Sequence, residues 1–165
     1  MVVNFSKKVI LNLIVISSFL LICTAYVFQH FMDLQPCFLC IVQRMSIMII
    51  GFSAFIIMLS NFKFNFIKYI GYLSYFISSG IGLFSALRQM YLQRFPDPYV
   101  ACGPGYEYIL ENSSLAKALP QLFLATGNCS EVDWSFIGLS IAEWMIPIFI
   151  TYILIGLYLL LKKAA

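Results

Sequence analysis

The chain has 165 residues, 62% of them apolar and only 10% charged, where a soluble domain carries about 25% charged residues. So short a chain has no interior large enough to hide that much apolar surface from water. An ordinary soluble globule is excluded, and a multi-pass membrane protein is expected. With a net charge of +3, no nucleic-acid partner is expected either; the implied surface is the lipid bilayer.

Four charge-free stretches reach the roughly 18 residues needed to cross a bilayer as helix. The first covers about 9–29, after Lys7 and Lys8. It is too long for a cleaved secretory signal and has no A-x-A-like site before Gln29, so it reads as an uncleaved signal anchor. Cys23 within it follows the bulky Ile22, unlike a lipoprotein site, and reads as a small packing residue. A brief loop, about 30–40, carries His30 as a polar anchor and then "QPCFLCIVQR". The second span is charge-free over 45–62 and is taken back to about 41. After the short turn "NFKFNFIK" the third span covers about 69–87.

A long loop, about 88–143, is broken by "PDP", "CGPG", "LP" and "TGN", clusters that imply turns. Between them, 107–119 suits a short helix. Residues 132–144 place Trp134, Phe136, Ile137, Leu139, Ile141 and Trp144 among polar residues, which predicts a segment lying along the membrane surface. The alternative is that this segment simply starts the last span, about 144–161. The expected fold is an all-α membrane protein, one domain over 1–165, with four transmembrane helices in a bundle.

Orientation follows from the basic residues. Lys7, Lys8, Lys63, Lys68, Lys162 and Lys163 fall on one side with no Asp or Glu; Arg44, Arg88, Arg94, Lys117 and all the acidic residues fall on the other. Lys and Arg in short loops favour the cytoplasm, so both termini are expected inside and both cysteine-bearing loops outside.

On that topology Cys37, Cys40, Cys102 and Cys129 lie in an oxidising compartment, where disulfides persist. Four cysteines permit three pairings; the separations favour Cys37 with Cys40 and Cys102 with Cys129. The second pair alone reads equally as a staple of a long loop, with a stabilisation of roughly 3 kcal/mol. The first resists that reading, because so tight a ring removes little freedom from the unfolded chain. Adjacent-turn C-x-x-C pairs are typical of catalytic dithiols. Zinc competes, with His30 as a further ligand, but a second cysteine knuckle is missing and no metal is expected.

Pro36 suits a helix start, so Cys37 and Cys40 fall in a first turn whose partial positive charge favours thiolate. Arg44 follows Cys40 by four residues on the same face. Its alternatives are snorkelling toward headgroups or stabilising a thiolate together with an anionic ligand. Two electrons arriving from thiols need an acceptor, and a site facing lipid favours a lipid-soluble one. From location alone, a quinone fits.

The segments "FQHFMDLQPCFLCIVQR", "LQRFPDPYVACGPG" and "PQLFLATGNCSEVDWSFIGLSIAEW" resemble the signature segments of the DsbB family of bacterial inner-membrane disulfide bond formation proteins. The likeness extends over almost the whole chain. It implies a four-helix bundle that reoxidises a periplasmic DsbA-like protein and passes electrons to ubiquinone or menaquinone. By resemblance, Cys40 contacts the quinone ring, Arg44 is required for quinone use, Cys102 exchanges with the DsbA-like partner and Cys129 passes electrons to Cys37. Arg88 is a further quinone-binding candidate, with a plain surface charge as its alternative. The likeness also matches 132–144 to a membrane-parallel helix. Where a well-known family member has a histidine near the quinone, this chain has Gln89. Two rival readings stand beside this one: a paralogue dedicated to one partner or substrate, and a non-enzymatic membrane protein with structural disulfides or a metal site.

Overall fold

Apolar chain in lipid must pair every backbone N–H and C=O within itself, and the helix is the local way to do so. The computed structural model describes residues 7–31, 37–60, 65–95 and 134–164. Its elements are α1 (Lys7–Phe31), α2 (Phe38–Ser60), α3 (Asn65–Arg94), a hairpin of β1 (Ser135–Phe136) and β2 (Leu139–Ser140), and α4 (Ile141–Ala164). Among the described residues, four helices are long and apolar enough to cross a membrane. At 1.5 Å per residue, the 25 residues of α1 reach about 37 Å, more than a hydrocarbon core of about 30 Å. The chain is a multi-pass membrane protein with the expected four-helix architecture.

Helix α2 packs on both α1 and α3, and α3 packs on α4. Ile47, Ile50, Ala54 and Ile57 recur at steps of three and four along α2 and are buried, the spacing of a knobs-into-holes seam. They join Leu11 and Ile14 of α1, Tyr72 and Tyr75 of α3, and Phe149 and Tyr152 of α4 in one core. Lipid is as apolar as leucine, so helices in it associate through close packing and hydrogen bonds. Both are present. Gly82 sits against the Phe149 ring so closely that a Cβ would overlap it, and Gly51 lies close over Ser18, though less tightly. Ser53 and Ser74 share a hydrogen bond of 2.7 Å between α2 and α3. The Tyr75 hydroxyl donates to the Tyr152 carbonyl at 2.8 Å, and the Tyr152 hydroxyl meets Ser17 of α1 at 3.0 Å, closing the bundle. Phe19, Phe52, Phe84 and Leu154 point outward, where lipid would cover them.

Helix α2 begins at Phe38, ahead of the charge-free run and in line with the helix start that Pro36 implies. Helix α3 continues to Arg94, past its expected end near 87, so the long loop opens as helix; a polar end costs little once it clears the hydrocarbon and finds partners on α4. One expectation is corrected. Where described, the segment assigned to a membrane-parallel helix is the hairpin followed by the first turn of α4. Ile137 and Gly138 have φ of 56° and 75°, the two left-handed residues of a tight primed turn that no helix accommodates. The expected helix at 107–119, Cys102 and Cys129 lie outside the described residues.

The hairpin is pinned rather than loose. The Trp134 ring lies 5.1 Å from that of Phe28 on α1 and stacks at 6.0 Å on Phe136. Trp144 Nε1 donates to the Phe136 carbonyl at 3.2 Å. At its far side Ser140 and Glu143 form a reciprocal cap on α4: Ser140 N donates to Glu143 Oε2 at 2.8 Å, and Glu143 N donates to Ser140 Oγ at 3.3 Å. This S-x-x-E box satisfies two of the donors a helix start leaves over.

Candidate redox site at the start of the second helix

Cys37 immediately precedes α2, and its carbonyl accepts the Ile41 N–H at 3.1 Å, so it fills the role of N-cap residue. Cys40 then sits one turn in. Cys37 Sγ donates to Cys40 Sγ over 3.3 Å, so the C-x-x-C spacing brings both sulfurs together. The unpaired N–H groups of this first turn supply partial positive charge to them. Cys37 is buried in a small apolar cluster with Leu39 and Leu92, and Phe38 and Cys40 pack on it. Leu39 is on α2 and Leu92 on the last turns of α3, so the extension of α3 to Arg94 builds one wall of the site.

Cys40 faces α3. Gln89 Nε2 donates to Cys40 Sγ at 3.2 Å, and Cys40 Sγ lies 3.5 Å from Gln89 Oε1. Gln43, one turn along α2, donates through Nε2 to the same Gln89 oxygen at 2.8 Å. Both glutamines are buried, at 4% and 5% exposure, deep enough that each amide needs a partner.

Arg44 turns the other way. Its Nη1 donates to Gln29 Oε1 at 2.6 Å and its Nη2 to the Ala25 carbonyl at 3.4 Å, both on α1. The guanidinium also lies 5.9 Å from the centre of the Tyr26 ring, within reach of a cation–π contact. Sharing a helix face with Cys40 thus does not bring Arg44 onto the sulfur; the two side chains flank the start of α2, one against α1 and one against α3. Arg88 is half-buried and stands beside Gln89 in sequence.

Gln29 and Gln43 escaped the sequence reading. A signal existed: amide side chains inside or beside apolar spans are expensive unless they have partners, and so they mark sites. What sequence alone lacks is the pairing of helix faces that puts Gln43 onto Gln89 and Gln29 onto Arg44.

The comparisons agree with this architecture. A family model described as "Disulfide bond formation protein DsbB" matches residues 7–159. A protein named "Disulfide bond formation protein B" from Polaromonas sp. (strain JS666) is 36% identical over 136 residues, covering 82% of this chain and 80% of that one. One of the same name from Azoarcus sp. (strain BH72) is 36% identical over 82% of this chain and 81% of its own. Another from Acinetobacter baylyi is 32% identical over 97% of this chain and 94% of its own. The chain belongs to the DsbB family of disulfide bond formation proteins, membrane oxidoreductases acting on thiols.

Proposed function

We propose that this chain reoxidises a periplasmic, DsbA-like thioredoxin-fold protein and delivers the two electrons to ubiquinone or menaquinone in the bacterial inner membrane. Both termini are then cytoplasmic and the cysteine-bearing loops periplasmic, as the distribution of Lys and Arg favours. The observation that carries the reading is the sulfur pair 3.3 Å apart at the start of a membrane helix, with a braced arginine one turn on.

In this scheme Cys102 and Cys129 begin as a disulfide. A thiolate of the reduced partner attacks Cys102, Cys129 leaves as thiolate, and the partner's second thiolate then displaces Cys102. The partner departs oxidised, and this chain holds one new dithiol. Cys129 next attacks Cys37 of a Cys37–Cys40 disulfide, expelling Cys40 as thiolate; Cys102 attacks Cys129, expelling Cys37 and restoring the loop disulfide. Two electrons and two protons now rest on Cys37 and Cys40, and their removal re-forms that disulfide.

The donor set suits a quinone, which has two acceptor oxygens on an apolar ring. Cys40 is partly buried at the edge of an apolar wall of Leu39 and Leu92. Arg44 uses two N–H groups on α1, and its other donors meet no acceptor among the described residues. A bound quinone would supply the two-electron sink. Such a sink is needed: DsbA-type oxidases sit near about −120 mV against about −270 mV for thioredoxin, a gap of roughly 7 kcal/mol for two electrons. The DsbA–DsbB–quinone chain is the known kinetic source of periplasmic oxidation.

Turnover of the purified protein with reduced DsbA-type partner and quinone tests the proposal. Steady oxidation of the partner is expected, with Cys37→Ser, Cys40→Ser, Cys102→Ser and Cys129→Ser each abolishing it. Quinone-dependent turnover that survives Cys40→Ser would remove that sulfur from the route.

A further inference from the structure

The amide of Gln89 faces Cys40 with both of its ends. Its Nε2 lies 3.2 Å from the sulfur and its Oε1 3.5 Å. An amide so placed serves a thiol and a thiolate without turning over, since the oxygen accepts from S–H and the nitrogen donates to S⁻. Gln43 decides between the two. Its Nε2 donates to Gln89 Oε1 at 2.8 Å, the shortest contact of the three, which fixes the orientation of the amide and keeps its N–H turned to sulfur.

We infer that Gln89 is a positioning residue for the redox step: oriented by Gln43, it holds the Cys40 thiolate through a neutral, fixed N–H donor. The inference rests on the reading of Cys40 as the reacting sulfur. It assigns to an untitratable side chain a task that a charged group performs poorly here. A second cation beside the sulfur would have to be buried between α2 and α3, where charge is costly. The amide supplies the donor, and its pairing with Gln43 covers the acceptor that burial would otherwise leave unsatisfied.

Among the described residues, few ionisable or charged groups stand around Cys40. Cys37 touches it from the same helix. Arg44 is one turn on but faces α1, where Gln29 and the Ala25 carbonyl, neither titratable, receive it. From α3 come Gln89 and, beside it in sequence, Arg88; His30 stands in the last turn of α1. The pH response of Cys40 alkylation therefore reports Cys37 and the Gln89 donor foremost.

The test is site-resolved alkylation of Cys40 in the full chain, reduced, in detergent or lipid discs, followed across pH by peptide mass spectrometry. Gln89→Met keeps length and removes the donor. Loss of a hydrogen bond to a charged group should lower the thiolate fraction at neutral pH about tenfold. Each remaining thiolate becomes about threefold more nucleophilic, because nucleophilicity rises with thiol basicity. The variant should thus react about threefold slower at pH 7 and about threefold faster at alkaline pH, so the two rate profiles cross. Gln43→Met should shift the crossing in the same sense by less. A packing defect would change the rate by one factor at every pH. Superimposable or parallel profiles for Gln89→Met overturn the inference; if that variant does not fold, parallel profiles for Gln43→Met do so. The outcome is separable from the proposed function. Crossing profiles in a chain without quinone turnover sink the function and spare Gln89, while quinone turnover with parallel profiles does the reverse.

Discussion

Arg44 and Arg94 occupy the same end of the bundle, where α1 ends, α2 begins, α3 ends and α4 begins, and they are held by opposite means. Arg94 reaches Glu143 of α4 with Nη2 at 2.6 Å and Nε at 3.0 Å, on one carboxylate oxygen, and is 61% exposed. The other oxygen of Glu143 caps α4. Arg94 is therefore a neutralised cation that ties two helix ends together. Arg44 is held by a neutral amide and a backbone carbonyl and meets no carboxylate among the described residues. A cation kept in place without being neutralised retains its charge for something else. Under the proposed function, that something is the negative charge developing on the electron acceptor.

The largest effect should therefore come from Arg44. Losing one charge-assisted contact costs about 1.5–3 kcal/mol, so Arg44→Ala should lower kcat/KM for quinone about 10- to 150-fold while thiol exchange with the partner persists. Arg44→Lys keeps charge but loses the planar fork and should fall between. Gln29→Leu should move in the same direction by less, since it removes only the brace. Steady-state kinetics over a quinone titration measure all three. Equal quinone parameters throughout would reduce Arg44 to a second Arg94.

The converse substitution should separate stability from turnover. Ser140→Ala removes one half of the α4 cap, and a lost cap costs about 1 kcal/mol. Arg94→Ala breaks an exposed ion pair that water and salt screen, worth no more than about 0.5 kcal/mol. Thermal unfolding in detergent should place both variants below wild type, Ser140→Ala the lower, with quinone parameters unchanged in each. A quinone defect in Arg94→Ala would erase the distinction between the two arginines.

How much of this was legible beforehand differs between the same two regions. The four spans, the C-x-x-C pair and Arg44 stand out because charge-free length and cysteine spacing are local properties of the chain. The partners of Arg44 and Cys40 do not, because Gln29, Gln43 and Gln89 become a site only when three helices choose their facing sides. The corner around Arg94 was misread for another reason. Its apolar residues from Trp134 to Trp144 have an interfacial composition, and composition does not distinguish a surface helix from a hairpin. The S-x-x-E box at 140–143 was in plain view as a helix start, and reading it would have moved the beginning of α4 to Ile141. Gly138 would then have been left for a turn.

That turn carries the smallest predicted effect and confines it to the Arg94 side. Ile137 is β-branched, 77% exposed and held at a φ of 56°, a conformation such residues resist. The favoured pair for a two-residue primed turn is Asn-Gly, and Gly138 already occupies the second place. Ile137→Asn should relieve the strain without giving up buried contacts, a gain of about 0.5–1 kcal/mol. Because Trp134 and Phe136 pin the hairpin to Phe28 and Trp144, the gain should appear as a rise in unfolding temperature with quinone parameters unmoved. Ile137 has a competing explanation, that its side chain is exposed because it enters the lipid. In that case Ile137→Asn would lose apolar contact and unfold earlier in lipid discs than wild type. A lower unfolding temperature there would make the turn a membrane anchor, and its backbone strain would be offset by lipid contact.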